Sequence, residues 1–253
     1  SELVRESAAA VLGSKFPEQA GDFVPQLAEA LKDKHAGTRA AAAETLKVAG
    51  DAARPAVPAL LVVARDKKEE KFCRVYALQI VSRLGKETPD ATKALVEILG
   101  DLETLEVIRE AAAEGLGRLD NPASVPALAT ALQDKEAKVR TAAAVSLGQL
   151  GGKAKEAWPA IVANLKSEDT GLRYQLVRTM AAMAREKTEA LAELAKLAEN
   201  DGSPEIRIAA IQELGQLGPF ARDQEPVLAR LVNDPRAAVR EAAGFALKKI
   251  KGL

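Results

Sequence analysis

The sequence predicts an all-α fold: a right-handed α–α superhelix, or α-solenoid, of about seven and a half helical hairpins, read as one domain over residues 1–253. Three observations predict it. One short signature recurs eight times along the chain. Hydrophobic residues make up 47% of the chain but aromatics only 3%, because Ala and Leu, both strong helix formers, supply much of the apolar content. The apolar positions fall at helical spacing, and the alternation that marks strands is absent.

The signature is an Arg after an apolar residue, followed by small residues and then Leu. Its copies centre on Arg5, Arg39, Arg74, Arg109, Arg140, Arg173, Arg207 and Arg240, so the period is 31–35 residues. Before the Arg stand Val4, Thr38, Cys73, Ile108, Val139, Leu172, Ile206 and Val239. Three after it come Ala8, Ala42, Ala77, Ala112, Ala143, Leu176, Ala210 and Ala243. Seven after it come Leu12, Leu46, Val81, Leu116, Leu147, Met180, Leu214 and Leu247. These positions form one stripe of a 3.6-residue helix, and the Ala row lets a neighbouring helix approach closely.

Another helix precedes each of the last seven copies. In order these read VPQLAEALKD, VPALLVVARD, ATKALVEILGD, VPALATALQD, WPAIVANLKS, EALAELAKLA and EPVLARLVND. Pro25, Pro58, Pro126, Pro159 and Pro226 open their segments, where the missing N–H costs nothing. Gly50, Gly85, Gly151 and Gly218 follow Arg-containing helices, as C-terminal caps do. The first copy has no preceding helix, so the chain is expected to be a fragment of a longer array with an open apolar end.

An acid lies six residues before the Arg in five copies: Asp33–Arg39, Glu103–Arg109, Asp134–Arg140, Asp201–Arg207 and Asp234–Arg240. Each acid falls in the turn between two helices and each Arg in the first turn of the second helix, so a pair that fixes the turn is expected. The third copy has Lys68 in place of the acid and the sixth has Ser167.

Paired helices at this period, with Pro opening the first and an acid-x5-Arg step into the second, resemble HEAT repeats over essentially the whole chain. The flavour is similar to short, Ala-rich bacterial HEAT-like repeats, including those of phycobilisome lyases. The resemblance implies a scaffold or adaptor that binds a protein or peptide on a concave face lined by the second helices. It implies two alternatives from other classes: a nucleic-acid-binding protein or DNA glycosylase, and a tetrapyrrole lyase-like chaperone.

The charge balance, 36 basic against 36 acidic residues, argues against a phosphate backbone as the main partner, because counterion release rewards a basic excess. No apolar run approaches the roughly 20 residues of a membrane span, and no targeting segment is visible. The sequence does not specify an oligomeric state, and a monomer is expected. No catalytic, metal-binding or cofactor-binding residue is assigned: a lone His35 and a core-placed Cys73 make neither a metal site nor a nucleophile–base pair. The Met180 and Met183 pair follows core spacing, and Trp158 is expected to pack between repeats.

Positions one, five and nine after each Arg point away from the core stripe. On adjacent second helices they gather Thr141, Val145, Tyr174, Arg178, Ile208, Gln212 and Phe245. Apolar and aromatic groups beside an Arg, where the fold does not need them, make these the candidate partner-binding residues.

Overall fold

A computed structural model describes residues 1–253. It contains no strand, and its α-helices alternate between first and second members of successive hairpins. The helices are α1 (Glu2–Lys15), α2 (Val24–Ala30), α3 (Ala36–Val48), α4 (Val57–Arg65), α5 (Lys71–Leu84), α6 (Ala91–Gly100), α7 (Glu106–Leu119) and α8 (Val125–Ala131). They continue with α9 (Ala137–Leu150), α10 (Trp158–Asn164), α11 (Thr170–Met183), α12 (Glu189–Asn200), α13 (Pro204–Leu217), α14 (Glu225–Leu231) and α15 (Ala237–Lys251). Odd-numbered helices carry the repeat Arg; even-numbered ones are the first helices.

The chain divides into two compact units, Ser1–Ala127 and Leu128–Leu253. In the first, the second helices α1, α3, α5 and α7 lie side by side, and α4 and α6 pack together on the other layer. In the second, α9, α11, α13 and α15 form the corresponding row, with α12 against α14.

The predicted stripe is the core. Ala42, Ala77, Ala112, Ala143, Leu176, Ala210 and Ala243 are fully buried. So are Cys73, Val139, Leu172, Ile206 and Val239 in the position before the Arg, whereas Val4, in the same position of α1, is 64% exposed because no first helix covers it. Met180 and Met183 are buried among core residues. Burial pushes the Cys73 thiol up to about 12, so it stays protonated near neutrality. Trp158, half-buried at the start of α10, lies under the Lys187 ammonium, 5.7 Å from the ring centroid.

Helix ends differ from expectation at one glycine. Gly151 (φ 54°, ψ −131°) and Gly218 (φ 57°, ψ −137°) take backbone conformations that a Cβ would strain. Gly85 does not; its φ is −85°. Asp120 ends α7 in the left-handed region instead, at φ 55°. Beyond the capping residues the chain runs through short 3-10 segments, Gly50–Ala56, Gly151–Ala157 and Gly218–Gln224, before the next first helix.

The expected turn pairs require correction. Arg39 reaches its own turn through the Asp33 carbonyl, to which Nη1 donates at 2.8 Å, while its Nη2 donates to the Glu69 carboxylate one hairpin on at 3.0 Å. Arg140 likewise donates to the Asp134 carbonyl and to the Asp169 carboxylate, both at 2.9 Å. Arg207 bonds the Ala198 carbonyl and pairs with Asp234, not with Asp201. Arg240 donates to the Asp234 carbonyl at 2.8 Å. Arg109 donates to the Thr104 carbonyl, and Glu103 is exposed and forms no ion pair with it. The acid is occupied differently: one oxygen of Asp33, Asp134, Asp201 and Asp234 accepts the backbone N–H two residues on. That Asx turn aims the other oxygen at an Arg from the preceding repeat, as in Arg5–Asp33, Arg173–Asp201 and Arg207–Asp234. The ladder therefore ties hairpin to hairpin within each unit.

The two degenerate turns are repaired nearby. Where Lys68 replaces the acid, the buried Glu69 receives Arg39, and Asp66 makes the Asx turn with the Lys68 N–H. Where Ser167 replaces it, Asp169 receives Arg140 and caps α11 through the Leu172 N–H at 3.0 Å.

Candidate functional site

Within the second unit, the solvent faces of α9, α11 and α13 enclose a groove of about 500 Å³. Small residues set its floor. Thr179 Oγ1 donates to the Ala144 carbonyl at 2.7 Å, tying α11 to α9. Opposite it stands Gly148, where a Cβ would lie 3.1 Å from that hydroxyl. The same small-to-small contact recurs between α1 and α3, where a Cβ on Gly13 would meet the Thr45 hydroxyl at 2.7 Å. It recurs between α13 and α15, where a Cβ on Gly215 would sit 2.9 Å from Ala246. Close approach of second helices is thus built in at these three places, where a Gly faces the sixth position after the Arg.

Glu213 breaks that rule. The sixth position holds Val11, Thr45, Ile80, Gly115, Ser146, Thr179 and Ala246 in the other copies, none of them ionisable. Glu213 lines the groove with its side chain 28% exposed, and its carboxylate accepts no hydrogen bond. Its one opposite charge is Arg178, whose Nε stands 3.9 Å from Oε1 and whose own side chain is 60% exposed. Burial pushes the Glu213 carboxyl up, with the Arg178 charge pulling the other way. Around this pair stand the carboxamides of Gln149, Gln175 and Gln216. Gln216 Oε1 accepts from the Lys249 ammonium at 3.1 Å.

The groove gathers only part of the residues singled out in the sequence. Val145, 37% exposed, and Arg178 line it. Gln212 and Phe245, the latter 60% exposed, line a smaller cleft of about 90 Å³ between α13 and α15, which shares Gln216 with the groove. Thr141 and Ile208 are half-buried and Tyr174 is exposed, and none of the three lines either recess. Gln175, Thr179 and Glu213 were missed, because a single-helix wheel ranks positions two and six as flanks. Side-by-side helices turn those flanks into the wall and floor. One signal was readable: a lone Glu in a column otherwise free of charge.

No group of three or more His, Cys, Asp or Glu side chains is placed to hold a metal ion. No helix is long and apolar enough to cross a membrane.

Stacked helical hairpins with a regular inter-hairpin ladder define the class of helical-repeat solenoid proteins. The HEAT-repeat family model matches residues 92–166 and 158–248, more than half of the chain, and the chain belongs to that family. No curated protein matches it in sequence. Among solved structures, an engineered protein is similar over 99% of this chain and 75% of its own, at TM-score 0.62 and 19% identity. The complex of CpcE and CpcF of phycocyanin lyase from a Nostoc species is similar at TM-score 0.52 and 19% identity, over 90% of this chain and 94% of the other. Kap95p, solved with RanGDP, is similar at TM-score 0.62 and 14% identity over 92% of this chain, which spans 36% of it. At these identities the likeness is one of fold.

Proposed function

We propose that the chain is a protein-interaction scaffold and that the groove of α9, α11 and α13 holds an extended peptide segment of a partner protein. The observation that carries this is the set of carboxamides, Gln149, Gln175 and Gln216, spread over three successive second helices around Arg178 and Glu213. A carboxamide donates and accepts as a peptide unit does, so it satisfies a main chain without selecting its side chains. Packed helices lie about 8–10 Å apart and an extended chain advances about 3.3 Å per residue, so each repeat would meet about three residues. Val145 in the groove, and Phe245 in the separate cleft between α13 and α15, add apolar surface of the kind that anchors an interface. Two of the similar folds, the CpcE–CpcF complex and Kap95p with RanGDP, were solved as protein complexes, which agrees with the reading at the level of architecture.

The test is a positional-scanning library of nine-residue peptides, with affinities of the selected peptides measured by anisotropy. The double variant Gln149→Ala/Gln216→Ala should lose about tenfold in affinity, about 1.4 kcal/mol, for every selected peptide alike. Unchanged binding to that variant, or no binding by the wild type at millimolar peptide, would overturn the proposal.

A further inference from the structure

We infer that Glu213 reads a basic side chain, lysine or arginine, on the peptide held in the groove; the inference rests on the peptide-groove reading above.

Four observations point there. Glu213 replaces a small or apolar residue at the position where second helices approach one another, so its presence is not a packing requirement. Its carboxylate offers oxygens that accept no hydrogen bond, although its side chain is mostly withdrawn from solvent. A carboxylate in that setting is incomplete, because desolvation is ordinarily compensated by donors. The groove around it is wide enough to admit a side chain, and apart from Arg178 its other walls are neutral, among them Val145, Gln149, Gln175, Thr179 and Ala182.

Arg178 does not complete the site. At 3.9 Å from one oxygen it makes no hydrogen bond, and its exposed stem leaves it free to swing. An incoming ammonium or guanidinium brings two or more charge-assisted donors to both oxygens, which Arg178 in its present pose does not. Displaced toward solvent, Arg178 is placed to meet carbonyls of the peptide main chain. Lys249, a cation of the adjoining cleft, is held by Gln216 on the α15 side. Glu213 would thus set the register of the peptide, while the carboxamides hold its backbone without regard to sequence.

The same nine-residue library tests this with two variants. Wild type is expected to enrich lysine or arginine about tenfold at one library position, and a peptide with norleucine there should bind about tenfold more weakly. Glu213→Gln keeps the shape and removes the charge; it should abolish the enrichment, so that basic and norleucine peptides bind this variant alike. Arg178→Gln, checked by circular dichroism for an intact fold as is Glu213→Gln, should sharpen the basic preference by removing the competing cation. Peptides that bind the groove with no basic preference, or with one that survives in Glu213→Gln, overturn the inference and leave the groove reading intact. Absence of any peptide binding removes both.

Discussion

Arg173 holds both carboxylate oxygens of Asp201, at 3.2 and 3.1 Å, across 28 residues and into the next hairpin. Both side chains are largely withdrawn from water, 13% and 7% exposed. Asp201 is also six residues before Arg207, the spacing that suggests a pair in sequence, yet Arg207 turns to Asp234. A double-mutant cycle separates the two arrangements. Arg173→Ala with Asp201→Ala should show coupling on the order of 1 kcal/mol or more, within the 0.5–3 kcal/mol usual for one network. Asp201→Ala with Arg207→Ala should be additive within about 0.5 kcal/mol, read by urea unfolding. Equal coupling in both cycles would refute the inter-hairpin ladder.

The glycines of α13 and α15 make a matched pair with opposite signs. A Cβ at Gly215 would meet the backbone and side chain of Ala246 at 2.9 Å, so Gly215→Ala must push two helices apart. It should destabilise by about 1–3 kcal/mol despite the better helix propensity of Ala. At Gly244 nothing lies within 4 Å, so Gly244→Ala should gain about 0.5–1 kcal/mol from propensity alone. Thermal melts of the two variants against wild type check both.

Acid should weaken the ladder. The Arg5 guanidinium, with the His35 N–H, holds the Asp33 carboxyl down at about 2. The Leu172 N–H and Arg140 lower Asp169, and Arg207 and the Arg236 N–H lower Asp234. For a carboxyl whose folded value is depressed, the contribution to stability is complete above the unfolded value of about 3.9 and fades as pH falls through the folded value. Stability should therefore drop steeply between about pH 4 and pH 2. Replacing Asp33, Asp169 and Asp234 together by Asn should flatten that slope while lowering stability at pH 7. A slope unchanged in the triple variant would locate the acid sensitivity elsewhere.

Glu213 carries the opposite sign. Burial pushes its folded carboxyl up, so its charge costs stability, and that cost appears as pH rises through the folded value. Glu213→Gln should raise the melting temperature at pH 7 by a few degrees, and the gain should vanish in mild acid where the wild-type carboxyl is itself neutral. A residue that weakens the fold and strengthens binding is the pattern expected at a functional site. A melting temperature lowered at pH 7 would mean that Glu213 is a structural ion-pair partner of Arg178.

By itself the sequence determined the hairpin repeat. Apolar positions at helical spacing force each second helix to bury one stripe, and Ala143 or Ala210 in that stripe is fixed by the period alone. Counting from the Arg also placed Val145, Arg178, Gln212 and Phe245 on the side away from the core stripe, although Thr141 and Ile208 of the same columns are half-buried. Tertiary structure decided what those faces meet. Whether Asp201 pairs with Arg207 six residues away or with Arg173 in the neighbouring hairpin depends on how the Asx turn aims a carboxylate, and residue types do not encode that direction. The same holds for the groove: Gln175, Thr179 and Glu213 lie on the flank of a lone helix. They become wall and floor only when a second and third helix close beside them, because a recess is a property of neighbouring surfaces and not of any one segment.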